Sequence, residues 1–75
     1  MQSDENKYKK ILLGLGANLK KCRKSRKLSQ TDMTEYGFEL RNYQRIESGR
    51  HSPSLYTLHR LAIVFRCEIK DFFDT

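Results

Sequence analysis

Residues 29–49, SQTDMTEYGFELRNYQRIESG, decide how the chain folds. Ser29 and Asp32 make an S-x-x-D capping box. The serine oxygen takes a free backbone N–H and the carboxylate sits on the positive helix end, so a helix starts at about Gln30. Gly37 interrupts the pattern and supplies the positive φ that a sharp turn between helices needs. A second helix resumes near Leu40. At roughly 100° per residue, Tyr43, Ile46 and the stem of Glu47 fall on one side of it, and Leu40, Arg41, Gln44, Arg45 and Ser48 on the other. Arginine bonds bidentately to guanine and glutamine to adenine at the major-groove edge, so this second set suits base reading better than mere solvation.

Toward the N-terminus, Ile11 to Arg26 reads as a helix, with Ile11, Leu15, Leu19 and Cys22 forming an apolar stripe that Arg26 ends. Gly14 and Gly16 each weaken a helix by roughly 1 kcal/mol relative to alanine, which places its firm start near Leu15. Residues 1–10, MQSDENKYKK, are polar without a period and are expected to form a flexible segment ahead of a domain at 11–75. A DNA-binding arm is the other reading of Lys7, Lys9 and Lys10, but Asp4 and Glu5 balance them. The basic run from Lys20 to Lys27 opposes the negative end of the helix dipole and leaves a phosphate contact open for Lys27.

Toward the C-terminus, Gly49-Arg50-His51-Ser52-Pro53 is a loop. Ser54 can cap a core helix to Phe65 with the stripe Leu55, Leu58, Leu61, Ala62 and Phe65. Cys67, Ile69, Phe72 and Phe73 mark a short closing helix from about Glu68. Tyr56 and Ile63 lie seven apart, off the buried stripe and with Val64 beside them, and are expected to be exposed. They offer a contact to a second copy of the chain, or to the chain's own Tyr8 and Leu12.

The 75 residues suffice for one small domain. Fifteen Lys and Arg against nine Asp and Glu give a net charge of +6, for which a polyanion is the natural partner. Cys22 and Cys67 occupy apolar positions as small hydrophobes, lack C-x-x-C spacing, and are too few for a four-ligand zinc site. The polar N-terminus is unlike a signal peptide and no apolar run is long enough to span a bilayer, so a cytoplasmic location is expected. His51 in a loop and His59 on a polar face have no nucleophile to pair with, so neither catalysis nor a cofactor is expected.

SQTDM, YGF, RIESG and the later PSLYTLHRLA together resemble the XRE family of helix-turn-helix proteins, to which phage repressors and Cro belong. The likeness runs in order from about Leu15 to Phe73. It implies an all-α, compact five-helix repressor-like domain, with the second helix of the unit in the major groove and the first crossing the backbone. The resemblance makes Arg41 and Arg45 the foremost base readers, with Leu40 against a thymine methyl and Gln44 a further reader. Phosphate contacts fall to Ser29, Gln30, Asn42, Ser48, Arg50 and Ser54. The family pattern also pairs Arg23 with the glutamate of RIESG, Glu47. The implied function is sequence-specific binding of double-stranded DNA as a transcription regulator, by a homodimer on a near-palindromic operator. The competing class is a protein-interaction or antitoxin-like module on the same fold. Against the usual pattern, Gly37 comes one residue sooner after Gln30, Thr34 replaces a small alanine, Tyr43 replaces an aliphatic residue, and Arg66 stands where glycine usually ends a helix.

Overall fold

The computed structural model describes residues 2–74, with side chains from Asp4 onward; Met1 and Thr75, the outer limits of the expected N-terminal segment and domain, lie outside the described residues. Three α-helices, α1 (Gln2–Ser25), α2 (Leu40–Glu47) and α3 (Leu55–Phe65), are joined by two 3₁₀ segments, Thr31–Tyr36 between α1 and α2 and Ile69–Phe72 after α3. The architecture is all-helical among the described residues. The expected count of five helices is not matched: three are α-helices, and the segments after Gln30 and after Glu68 are short 3₁₀ turns instead.

Leu15 and Leu19 of α1, Met33 of the first 3₁₀ segment, Phe38, Tyr43 and Ile46 around α2, Leu58, Leu61, Ala62 and Phe65 of α3, and Phe72 enclose one core. Phe38 meets Tyr43 edge-on at 6.2 Å and Phe65 meets Phe72 likewise at 6.4 Å. Three members of the expected stripes lie outside this core: Ile11, Leu55 and Phe73 are about half exposed or more. Leu55 is the first residue of its helix and Phe73 follows the last 3₁₀ segment, while Ile11 lies one turn before Leu15, the first core residue of α1. Cys22 and Cys67 pack against its edge, and burial, followed by the neighbouring Cys22, pushes the Cys67 thiol up to about 11.

Helix α1 begins at Gln2, where the sequence pattern placed its start at Ile11. Once Leu15 and Leu19 fix a turn on the core, each further turn costs little. Asp4 and Glu5 suit the positive helix end, and Glu5 stands four residues before Lys9 in the favourable order. At about 1.5 Å per residue its 24 residues span about 36 Å, close to the 40 Å long dimension of the molecule.

Four turns close in a common way. Lys27 (φ 58°), Gly37 (89°), Gly49 (79°) and Arg66 (56°) take the left-handed region. The next residue's N–H then reaches back to a carbonyl five positions earlier: Leu28 to Arg23, Phe38 to Met33, Arg50 to Arg45, and Cys67 to Ala62, at 2.9–3.3 Å. Arg66 thus performs the turn for which glycine is usual. The caps at the other ends match the sequence: Ser54 Oγ accepts from Thr57 N at 3.0 Å, Ser29 Oγ from Asp32 N at 3.0 Å, and Asp32 Oδ2 from Ser29 N at 2.7 Å.

Candidate nucleic-acid interface

Helix α2 is divided lengthwise. Tyr43, Ile46 and Glu47 are buried, whereas Arg41, Asn42, Gln44, Arg45 and Ser48 are exposed and Leu40 is half-buried at the helix start. Arg41, Gln44, Arg45 and Ser48 share a shallow polar concavity with Gln30 and Arg50. Three of the expected base readers and three of the expected phosphate contacts therefore meet on one surface. Leu40, Ser29, Asn42 and Ser54 do not line that concavity. The hydroxyls of Ser29 and Ser54 are occupied in caps, and the Asn42 backbone N–H donates to Glu39 Oε1 at 2.7 Å.

Glu39 is a residue that the sequence pattern did not single out. Its carboxylate caps α2, accepting from the N–H of Asn42 and, at 3.2 Å, of Arg41. Glutamate is not among the side chains most favoured as a helix cap. Its position immediately before the resumed helix was the available signal.

The buried side of α2 is tied down by charge. Arg23 Nε donates to Glu47 Oε2 at 2.9 Å and Nη2 to Glu47 Oε1 at 2.8 Å, both side chains being more than nine-tenths buried. The third guanidinium nitrogen, Nη1, donates to the Leu28 carbonyl at 2.6 Å. Burial alone would push the Glu47 carboxyl up, but hydrogen bonding, from Arg23 foremost, prevails and holds it below the ordinary carboxylate value. The bond to Glu47 likewise raises Arg23 against the opposing effect of burial. Beside this pair the Tyr43 phenol is pushed up, first by burial and then by Glu47. Its hydroxyl has no partner at hydrogen-bond geometry among the described residues.

From the pair a chain of bonds runs to the exposed side. Gln30 Nε2 donates to Glu47 Oε1 at 3.1 Å, and Gln44 Nε2 donates to Gln30 Oε1 at 3.1 Å. Gln30 therefore holds the Gln44 side chain in a set orientation. An amide nitrogen carries two hydrogens, so these bonds leave Gln44 one N–H and its oxygen, and Gln30 one N–H, for further partners. Where α1 crosses the end of α2, a Cβ on Gly16 would overlap the Glu47 carbonyl oxygen and stand 2.8 Å from its carbon. Gly16 thus permits the close approach that lets Arg23, two turns on, reach Glu47.

A buried face fixed to the domain and an exposed basic face on a short helix after a tight turn define a helix-turn-helix protein. The chain belongs to the XRE family of such proteins: the helix-turn-helix family profile matches residues 19–72. Among solved structures it is similar to the restriction-modification controller protein C.AhdI from Aeromonas hydrophila. The two are 25% identical with a TM-score of 0.77, over 83% of this chain and 96% of that one. No curated protein shows significant sequence similarity to it. Family and neighbour together place the chain among DNA-binding transcription regulators. No described helix is long and apolar enough to cross a membrane.

Proposed function

We propose that the protein is a cytoplasmic, non-enzymatic regulator that binds double-stranded DNA sequence-specifically, as a homodimer on a near-palindromic operator, by inserting α2 into the major groove. The observation that carries this reading is the concavity in which Arg41, Gln44 and Arg45 stand exposed beside Gln30, Ser48 and Arg50, backed by a helix face locked to the core. Arg41 and Arg45 take guanine N7 and O6, Gln44 takes adenine N6 and N7, and Leu40 meets a thymine methyl. Gln30, Asn42, Ser48 and Arg50 contact phosphates, joined by the capped N-termini at Ser29 and Ser54, whose remaining N–H groups suit an anion. Basic and amide side chains at this face favour nucleic acid over the protein-interaction module that the same fold would also allow.

Selection of bound sites from random duplex DNA tests the reading. The wild type should enrich a two-fold-related site. Arg41→Ala or Arg45→Ala should lose roughly 1 to 3 kcal/mol on that site and relax the preference at single base pairs. Equal losses on selected and random DNA would contradict base reading.

A further inference from the structure

The homodimer proposed above leaves open which surface the second copy occupies. Tyr56 and Ile63 are exposed, as expected, and Ile63 at 64% is not covered by Tyr8 or Leu12, which lie on α1. Ile63 and Val64 line a depression bordered by Arg26 and Arg66. A second copy brought there by a two-fold axis would add arginines to arginines, which opposes association.

A different, mostly apolar groove runs between α1 and the end of the chain, lined by Ile11, Gly14, Leu15, Phe72 and Phe73 with Lys10 at its margin. Asn18 builds its wall, its amide donating to the carbonyls of Phe72 and Asp74 at 2.8 Å each. Ile11 is 55% and Phe73 49% exposed. Gly14 weakens α1 relative to alanine, yet a Cβ there would meet nothing within 4 Å. Nothing within the described chain accounts for a glycine at that point.

Asp4, Lys7, Ile11, Gly14, Asn18 and Lys21 follow one another at steps of three and four residues, so they form one stripe along α1. In an antiparallel, two-fold pairing of two such stripes, Ile11 falls opposite Gly14 and Asp4 opposite Lys21. Lys7 comes to Asn18, beside Asp74. Each charge of the stripe then meets a neutral or opposite partner, Lys10 falls opposite Leu15, and the small residue faces the large one. We infer that the second copy docks on the N-terminal half of α1, seating Ile11 of each chain over Gly14 of the other between Phe73 and the helix. Such an interface is isologous and closes at two chains.

Sedimentation equilibrium on the full chain, paired with binding to a duplex carrying a single half-site, tests this. Ile11→Asp should raise the dimer dissociation constant by at least about tenfold, whereas Ile63→Asp should leave it unchanged. Asp4→Lys and Lys21→Asp should each weaken the dimer by about three- to tenfold, and the double variant should recover most of the loss. Single half-site binding should persist in every variant. A monomeric wild type, an unaffected Ile11→Asp dimer, or a double variant no better than the single ones would overturn the interface. If half-site DNA fails to bind even to the wild type, it is the DNA reading that fails, and the sedimentation result still judges the interface by itself.

Discussion

The Arg23–Glu47 pair is the costliest contact to break by halves. Its two hydrogen bonds at 2.8 and 2.9 Å join side chains that are almost entirely buried. Removing one partner strands a charge, so Glu47→Ala should lower stability by roughly 3 to 5 kcal/mol in urea titration. The pH dependence has a definite sign. Glu47 is held below its ordinary value of 4.5, so the pair's contribution is complete above that pH and fades as pH falls through it toward the lower folded value. Arg23, raised further above its ordinary value by its bond to Glu47, stays charged throughout. The difference in thermal midpoint between wild type and Glu47→Gln should therefore narrow below about pH 4.5. Tyr43→Phe should act in the other direction. Deleting a buried hydroxyl without a partner should leave stability unchanged or raise it by up to about 1 kcal/mol.

Along the elements, two glycines of one helix should respond oppositely to the same substitution. Gly16→Ala gains helix propensity but pushes a methyl into the backbone of Ile46 and Glu47, so a net loss of roughly 1 to 3 kcal/mol is expected. Gly14→Ala meets open space in the single chain, so it should gain about 1 kcal/mol there while weakening self-association, because the methyl fills the seat assigned to Ile11. Thermal melts at low and high protein concentration separate the two effects. From sequence, both glycines read only as helix weakeners, because propensity is local and the partner of Gly16 lies about thirty residues away. What was legible had a short-range cause: the Ser29–Asp32 box, the turn at Gly37 and the cap at Ser54 each depend on neighbours within a few residues. The Arg23–Glu47 pair, a long-range contact, was legible through the family pattern alone. The length of α1 was not, since residues 2–10 carry no apolar period and owe their helix to propagation from Leu15.

For the whole molecule, the division of labour on the reading face has a signature in salt. Arg50 lines the concavity just beyond α2, and the proposed docking gives it a phosphate rather than a base. Arg50→Ala should thus weaken all sequences alike and make the salt dependence shallower by about one unit of slope. Arg41→Ala and Arg45→Ala should instead change which sequence is preferred. Titrations at several salt concentrations on selected and random duplexes distinguish the two behaviours. The split of α2 into an exposed and a buried face was legible in the sequence because helical period alone separates Arg41, Gln44 and Arg45 from Tyr43 and Ile46. The bonded route through Gln30 was not, since it depends on the placement of two separate helical segments.

The 3₁₀ segment ahead of the turn also bears on length. Compared with its family's usual pattern, the unit lacks one residue before Gly37, which would ordinarily draw the reading helix inward. A 3₁₀ segment rises about 2.0 Å per residue against about 1.5 Å for an α-helix, so six residues reach about 12 Å, where seven in an α-helix would reach about 10.5 Å. By this rise the tighter winding is long enough to make good the missing residue, at the expense of the better α-helical bonds. Inserting one alanine between Thr34 and Glu35 should let the segment relax to an α-helix. Helical ellipticity should rise by about one turn's worth, while the operator chosen from random DNA stays the same. A changed operator would mean that the winding itself sets the angle at which α2 meets the groove.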